Sequence, residues 1–171
     1  WAEFVLRHPL GNVFQTAEMV ELYEKTDRIE PLVVACLEER KGVIGILVAV
    51  VQKEYRGVLG KFTSRAIVWG GLLVINQNAE IMNEIMVEFE RSCRKRAVYS
   101  QFRNLWDARY MRNMMIQHGY SYNDHLDIHL DLSQSVTALW QRLHSTRRKQ
   151  ITRGQKRGVR TIMAENVRPE E

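Results

Sequence analysis

Two neighbouring apolar runs constrain the fold of this chain more than any other feature. Residues 32–38 and 43–52 are rich in aliphatic and β-branched side chains, and the four residues 39–42 (ERKG) separate them. Gly42 can supply the positive φ that a tight turn between two strands requires. The sequence therefore predicts an antiparallel hairpin that belongs to a larger sheet.

A third apolar run, residues 66–75, is interrupted by two adjacent glycines. Gly70 and Gly71 lie inside a pattern that otherwise reads as a buried strand. A glycine in such a position usually marks a bulge or a close approach of another group to the backbone. This run is therefore predicted to be a broken third strand.

Helical periodicity predicts four helices. The firmest covers residues 78–94, where Ile81, Ile85, Phe89 and Cys93 recur at a spacing of four. The others are one capped by Thr16 and ending near Lys25, one from Trp106 to His118 that ends at Gly119, and one capped by Ser133 or Ser135 that carries Val136, Leu139, Trp140 and Leu143.

Three further segments are predicted to be strands. They are residues 97–102, residues 159–163 and residues 122–132, which we call the alternating segment because apolar and polar side chains alternate along most of it. A hairpin followed by alternating strands and helices predicts one three-layer α/β domain, with a mixed sheet and helices on both faces.

Composition agrees with one globular domain. The chain has 171 residues, of which 45% are hydrophobic, enough for one core and too few for two large ones. No run of about 18 apolar residues predicts a membrane span, and no signal peptide is recognisable. Cys36 and Cys93 are expected to be reduced and buried, which is typical of a cytoplasmic protein.

Positive charge is concentrated in one segment. Residues 147–160 hold seven basic residues and no acidic one, and without this +7 the formal charge of +5 falls to −2. Such a segment can face a polyanion, although a solvated helix face is an equally good interpretation.

Motif searches exclude several common chemistries. Neither a Walker-type nor a Rossmann-type glycine loop is present, and no G-x-S-x-G nucleophile motif occurs. Residues 56–61 (RGVLGK) resemble the pyrophosphate turn of acyl-CoA transferases only loosely and precede a strand instead of a helix. His125, Asp127 and His129 could point to one side of a strand as metal ligands, but we favour a solvated strand face because no further ligand supports a site.

The order of several short motifs resembles the FemAB family. The motifs are residues 8–16 (HPLGNVFQT), Ser64-Arg65 before residues 68–71 (VWGG), residues 101–104 (QFRN), Gly119-Tyr120, and residues 140–158. The resemblance covers about residues 8–164. Leu72 stands where such sequences often have proline, and Gly154 replaces a common alanine.

The resemblance implies a GNAT-like fold (the fold of acyl-CoA N-acyltransferases) with a mixed, mostly antiparallel sheet. It implies that residues 1–171 form one such domain, the first half of a tandem protein that is inactive as this fragment alone. Members transfer an amino acid from aminoacyl-tRNA to an amine of a lipid-linked or nucleotide-linked peptidoglycan precursor, in the cytoplasm or at the inner face of the membrane. They use no cofactor and no metal.

The resemblance also implies a set of substrate-binding residues. Those lining the cleft would be Gln15, Arg65, Trp69, Gly70 and Gly71, and those holding phosphates would be Arg103, Arg147, Arg148 and Lys149. Two alternatives remain: an acyl-CoA-dependent GNAT N-acyltransferase, and a non-enzymatic domain whose basic segment binds RNA or anionic lipid.

Overall fold

The computed structural model describes residues 1–55, 62–126 and 128–161. The chain divides into two compact units, residues 1–127 and residues 128–171, and the prediction of a single domain stays a prediction. The regular elements of the first unit are α1 (Ala2–Arg7), α2 (Ala17–Glu24), β1 (Ile29–Glu38), β2 (Gly42–Lys53), β3 (Ser64–Trp69), β4 (Leu73–Val74), α3 (Ala79–Cys93), β5 (Tyr99–Arg103) and α4 (Arg112–Gln117). Those of the second are α5 (Val136–Arg142) and α6 (Ser145–Lys156).

Among the described residues, five strands form one mixed sheet in the order β1-β2-β3-β5, and the short β4 pairs with β2. The pairs β1–β2, β2–β3 and β2–β4 are antiparallel, whereas β3–β5 is parallel. The predicted hairpin is confirmed, and Gly42 has a φ of 74° at its turn. The parallel pair follows from α3, which carries the chain across one face between β3 and β5.

Helices cover both faces of this sheet. On one face, alternate residues of β1, β2 and β3 pack against α3 and residues near α4, with Leu47, Val68 and Phe89 at 2% exposure or less. On the other face, Ile46 and Val48 of β2 pack against α1 and α2. The predicted α/β class, with a mixed and mostly antiparallel sheet between two helical layers, is confirmed.

The helix predicted over residues 78–94 is confirmed as α3. The side chain of Asn78 accepts hydrogen bonds from the backbone N–H of Glu80 and of Ile81, which caps the first turn. Ile85 and Phe89 are buried against the sheet, and Gly45 of β2 leaves room for Ile85, since a Cβ at Gly45 would lie 2.7 Å from Cδ1 of Ile85. A fully buried face of this kind is what sets α3 on the sheet.

Three sequence predictions require correction. The alternating segment is neither helix nor strand in its described residues, and Leu126 is 96% exposed. An alternating pattern is compatible with a strand, but a strand also needs a neighbouring strand to pair with. Residues 159–161 are likewise not a strand, and residues 162 and 163 lie outside the described residues. The helix predicted from Trp106 begins only with a 3₁₀ turn at Arg109, because the carboxylate of Asp107 accepts the hydrogen bond of the Arg109 N–H and sets the turn there.

The described residues of the second unit, 128–161, include two short helices. Ser135, one of the two predicted caps, accepts a hydrogen bond from the Ala138 N–H at the start of α5. Helix α6 contains most of the basic segment and has no buried residue. Among all described residues, no helix combines the length and the apolarity needed to cross a membrane.

Candidate functional site

The parallel strands β3 and β5 end side by side. Trp69 and Arg103, the last residues of the two strands, are partners in the register, and the Gly70 N–H donates to the Arg103 carbonyl at 3.0 Å. Ligand groups often gather where parallel strands end at their carboxyl side. We therefore take this edge as the candidate site of the first unit.

The glycine pair is explained by two side chains that touch it. Gly70 and Gly71 have φ of 74° and 77°, a region that disfavours other residues. A Cβ at Gly70 would lie 2.3 Å from Oδ1 of Asn12, and one at Gly71 would lie 2.5 Å from Oδ1 of Asn104. The predicted close approach to the backbone is thus present, and protein side chains make it.

Gln15 ties the N-terminal segment to this glycine pair. Its side-chain Nε2 donates to the carbonyl of Gly70 at 2.9 Å and to that of Gly71 at 2.6 Å. The residue is fully buried, and its Oε1 has no hydrogen-bond partner among the described residues. Gln15 therefore lies at the site, where its two hydrogen bonds hold the backbone directly after β3 in place.

Arg103 and Trp69 form the half-buried surface of this edge. The Arg103 guanidinium lies 4.6 Å from the centroid of the Trp69 ring, and Phe14 stacks on the same ring at 5.8 Å. Arg103 makes one long hydrogen bond, 3.4 Å from its Nη2 to Oε1 of Gln101, and no ion pair with a described residue. A stacked guanidinium without a carboxylate can accept an anionic ligand group.

Arg65 lies at the opposite end of β3 from the glycine pair. Its Nε and Nη2 both donate to Oε1 of Gln52 on β2, at 3.3 and 3.1 Å. It lies four positions before Trp69 along the strand, which corresponds to about 13 Å. The structure thus brings Gln15, Trp69, Gly70, Gly71 and Arg103 together and leaves Arg65 apart from them.

Helix α6 carries a second candidate surface, in the other unit. Side chains at a spacing of three and four line a shallow depression there; they are Ser145, Arg148, Lys149, Thr152, Arg153 and Lys156. We call these six residues the basic face. None of its four cations forms an ion pair with any residue that the structure describes. A phosphate group could therefore contact them without displacing an existing partner.

Only two of the three cations predicted on α6 belong to the basic face. Arg148 and Lys149 line it, whereas Nη1 of Arg147 donates to Oε1 of Gln150 at 2.9 Å and lies outside it. Arg153 and Lys156, which the sequence prediction did not include, also line the basic face. The helical spacing of four from Lys149 to Arg153, and from Thr152 to Lys156, is the signal that could have found them.

The histidines of the alternating segment gain no support as metal ligands. No group of three or more His, Cys, Asp or Glu side chains with metal-binding geometry exists among residues 1–55, 62–126 and 128–161. The loose pyrophosphate-turn match at residues 56–61 lies outside the described residues.

The architecture defines the class of the first unit: it is an α/β domain of the GNAT-like fold. No family model matches the chain, and no curated protein matches it. Several solved structures have a similar chain path at low sequence identity.

One similar structure is an aminoglycoside acetyltransferase from an uncultured soil metagenomic sample, in complex with trehalose. It is 14% identical, with 71% of this chain and 77% of that chain covered and a TM-score of 0.49. Another is an aminoglycoside N-acetyltransferase in complex with CoA, at 10% identity, coverage of 65% and 81%, and a TM-score of 0.45. A third is a transcriptional regulator from Bacillus halodurans, at 19% identity, coverage of 66% and 73%, and a TM-score of 0.45. Likenesses of this size carry no argument about activity.

Proposed function

We propose that this chain is the substrate-binding part of an N-acyltransferase that moves an amino acid from aminoacyl-tRNA to an amine of a peptidoglycan precursor. The observation that carries the proposal is the basic face of α6, four cations without ion pairs among the described residues. A tRNA presents a long row of phosphates, which matches a row of unpaired cations along a helix better than the three phosphates of an acyl-CoA do.

The start of helix α3 supports a donor other than acyl-CoA. A helix N-terminus can hold a diphosphate when its free N–H groups point at the ligand. In α3, the Asn78 side chain already accepts from the N–H groups of Glu80 and Ile81, and Glu80 adds a negative charge in the first turn. A diphosphate at this helix would lose two donors and meet a carboxylate.

The strand edge of the first unit supports a role in holding the acceptor. Arg103, stacked on Trp69, can contact a phosphate of the precursor. Gln15 and the glycine pair keep the end of β3 in one geometry, so that a bound amine would be presented in a fixed orientation. The remaining groups, including any catalytic residue, would come from a second GNAT-like domain, so this fragment alone would be inactive.

The transfer is an aminolysis of an ester. The nitrogen of the acceptor amine attacks the acyl carbonyl, a C–N bond forms, and the C–O bond to the tRNA ribose breaks. The ribose oxygen takes up a proton equivalent to the one that the amine loses. Donors near the carbonyl oxygen would stabilise the charge that develops there.

A second candidate is an acyl-CoA-dependent N-acyltransferase. Several similar structures are named as acetyltransferases, and one of them is a complex with CoA. This candidate keeps the fold and the acceptor chemistry and changes only the donor. It requires a diphosphate site other than the capped start of α3.

Binding measurements on the full-length protein distinguish the donors. We expect aminoacyl-tRNA to bind with a strong salt dependence, and acetyl-CoA not to saturate the protein. Saturable acetyl-CoA binding without tRNA binding would favour the second candidate. Salt-dependent RNA or lipid binding without amide formation would favour the non-enzymatic domain.

Two arginine variants of α6 test the basic face. Arg148→Ala should weaken tRNA binding several-fold and lower the slope of log affinity against log salt by about one. Arg147→Ala is the matched comparison, because it removes the same charge from the same helix outside the basic face, and its loss should be smaller. Equal losses in both variants would contradict a role for this particular face.

A further inference from the structure

The cations of the basic face form one row along α6, with a single cation opposite. Lys149, Arg153 and Lys156 follow each other at spacings of four and three, so they lie on one flank of the helix. Arg148 lies about 100° away from Lys149 around the helix, on the other side of the depression. From Lys149 to Lys156 the row extends for about 10 Å, at a rise of about 1.5 Å per residue.

The basic face has groups that bind phosphate and lacks groups that recognise bases. Between the two flanks lie the small side chains of Ser145 and Thr152. The Thr152 hydroxyl donates to the Arg148 carbonyl at 2.9 Å and thus lies against the helix. Helix α6 contains no aromatic residue on which a base could stack. Contacts to this face are therefore expected to be contacts to a phosphate backbone.

The length of the row distinguishes between kinds of phosphate ligand. The two phosphorus atoms of a diphosphate share one bridging oxygen, so a diphosphate cannot contact Lys149 and Lys156 at the same time. In a stacked DNA strand the phosphates recur about every 3.4 Å along the axis, and RNA repeats them at similar intervals. The row therefore matches about three nucleotides of one strand. A second strand would need a similar row on the other flank, where Arg148 is the only cation of the face.

We propose that the basic face binds a single strand of RNA through the phosphates of about three consecutive nucleotides, independently of base and sugar. That this RNA is an aminoacyl-tRNA rests on the proposed function, whereas the mode of contact rests on α6 alone. The choice among tRNAs would then be made by other parts of the protein.

Oligonucleotide binding by the 171-residue chain tests the mode of contact. Fluorescence anisotropy should give affinities equal within about twofold for oligouridylate, oligodeoxythymidylate and an abasic DNA strand of the same length, because all three present the same phosphates. Inorganic diphosphate at an equal phosphate concentration should not displace them. A preference of about tenfold or more for one strand, displacement by diphosphate, or binding only to vesicles of anionic lipid would overturn the proposal.

Substitutions at the two ends of the row test its length. Lys149→Gln and Lys156→Gln should each reduce the slope of log affinity against log salt for oligouridylate by about 0.7, and the double variant by about 1.4. Arg157→Gln is the matched control, because it removes one charge next to Lys156 but outside the basic face, and its effect should be smaller.

The three side chains are exposed, so circular dichroism should show an unchanged fold in every variant. A single substitution that reduces the slope as much as the double variant would mean that only one phosphate is bound. That result, or an equal effect of Arg157→Gln, would refute the proposal.

Aminoacyl transfer by the full-length protein separates this inference from the proposed function. Amide formation from aminoacyl-tRNA, combined with a strong preference among the three strands, would refute the mode of contact and leave the proposed function standing. Equal binding of the three strands with additive effects of the two lysines, but without amide formation, would support the mode of contact and contradict the proposed function.

Discussion

Strand β2 and the alternating segment differ both in their hydrophobic pattern and in the structure that they adopt. The stretch Ile44–Val51 of β2 is apolar without alternation and is buried throughout, between two strands and two helical layers. The alternating segment has the regular pattern of a half-buried strand, yet its described residues, 122–126 and 128–132, form no strand. A strand is made by its hydrogen-bonding and packing partners, and the pattern alone does not supply them.

The largest expected difference between the two regions is in core stability. Leu47→Ala in β2 removes a side chain that is 0% exposed and should lower the free energy of unfolding by about 2–5 kcal/mol. Leu126→Ala makes the same chemical change at 96% exposure and should stay within about 0.5 kcal/mol of the parent. Urea unfolding of both variants provides the measurement. A large loss of stability from Leu126→Ala would contradict the comparison.

A smaller difference in stability is expected between two glycine substitutions, one at the glycine pair after β3 and one at the turn between β1 and β2. Gly71→Ala should cost about 2–4 kcal/mol, because it combines a φ of 77° with a contact of 2.5 Å to Oδ1 of Asn104. Gly42→Ala is the control: φ is 74°, but no atom lies within 4 Å of the added Cβ, so only about 1 kcal/mol is expected. Thermal unfolding of the two variants provides the measurement. Similar losses would mean that backbone strain alone explains the glycine pair.

The smallest expected effect is a pH dependence of stability that comes from Cys93, a buried thiol on helix α3. Burial raises the pKa of the Cys93 thiol to about 11. The unfolded chain loses this proton near its ordinary pKa of 9.0, and the folded chain keeps it to higher pH. Stability should therefore fall as pH rises from about 9 to 11, since the unfolded state then binds fewer protons than the native state.

Comparison with the Cys93→Ala variant isolates this contribution, because the fall specific to Cys93 should disappear. At pH 8, iodoacetamide should modify Cys93 about 100-fold more slowly than an unstructured thiol. Labelling of native protein followed by mass spectrometry measures the rate. Rapid labelling of Cys93 would show that water reaches the space between α3 and the sheet.

The parts of the fold that sequence predicted are those whose causes are local. The hairpin turn at Gly42 and the capped, amphipathic α3 carry their own signals within a few residues. The strand prediction for the alternating segment was wrong because strand formation depends on a pairing partner that no local pattern specifies. The helix expected from Trp106 was too long for the opposite reason: one local contact, from Asp107 to the Arg109 N–H, delays its start.

The candidate site was predictable in its glycines and less so in its cations. A broken strand required close neighbours of Gly70 and Gly71, but sequence could not reveal that Asn12 and Asn104 are those neighbours. Arg65 and Arg103 are both predicted near strand ends, and only the pairing of β3 with β5 puts Arg103 beside the glycine pair and Arg65 at the far end of β3. On α6, the helical spacing of four would have selected Arg153 and Lys156 as candidate residues in place of Arg147.

The side chain of Gln15 makes the first fifteen residues part of the sheet edge. Its amide nitrogen donates to the carbonyls of Gly70 and Gly71, which are both buried. Shortening the chain to begin at Ala17 would leave both carbonyls without a donor and would open the space that Phe14 fills beside Trp69. Residues 1–15 therefore stabilise the end of β3, which lies more than fifty residues later in the sequence.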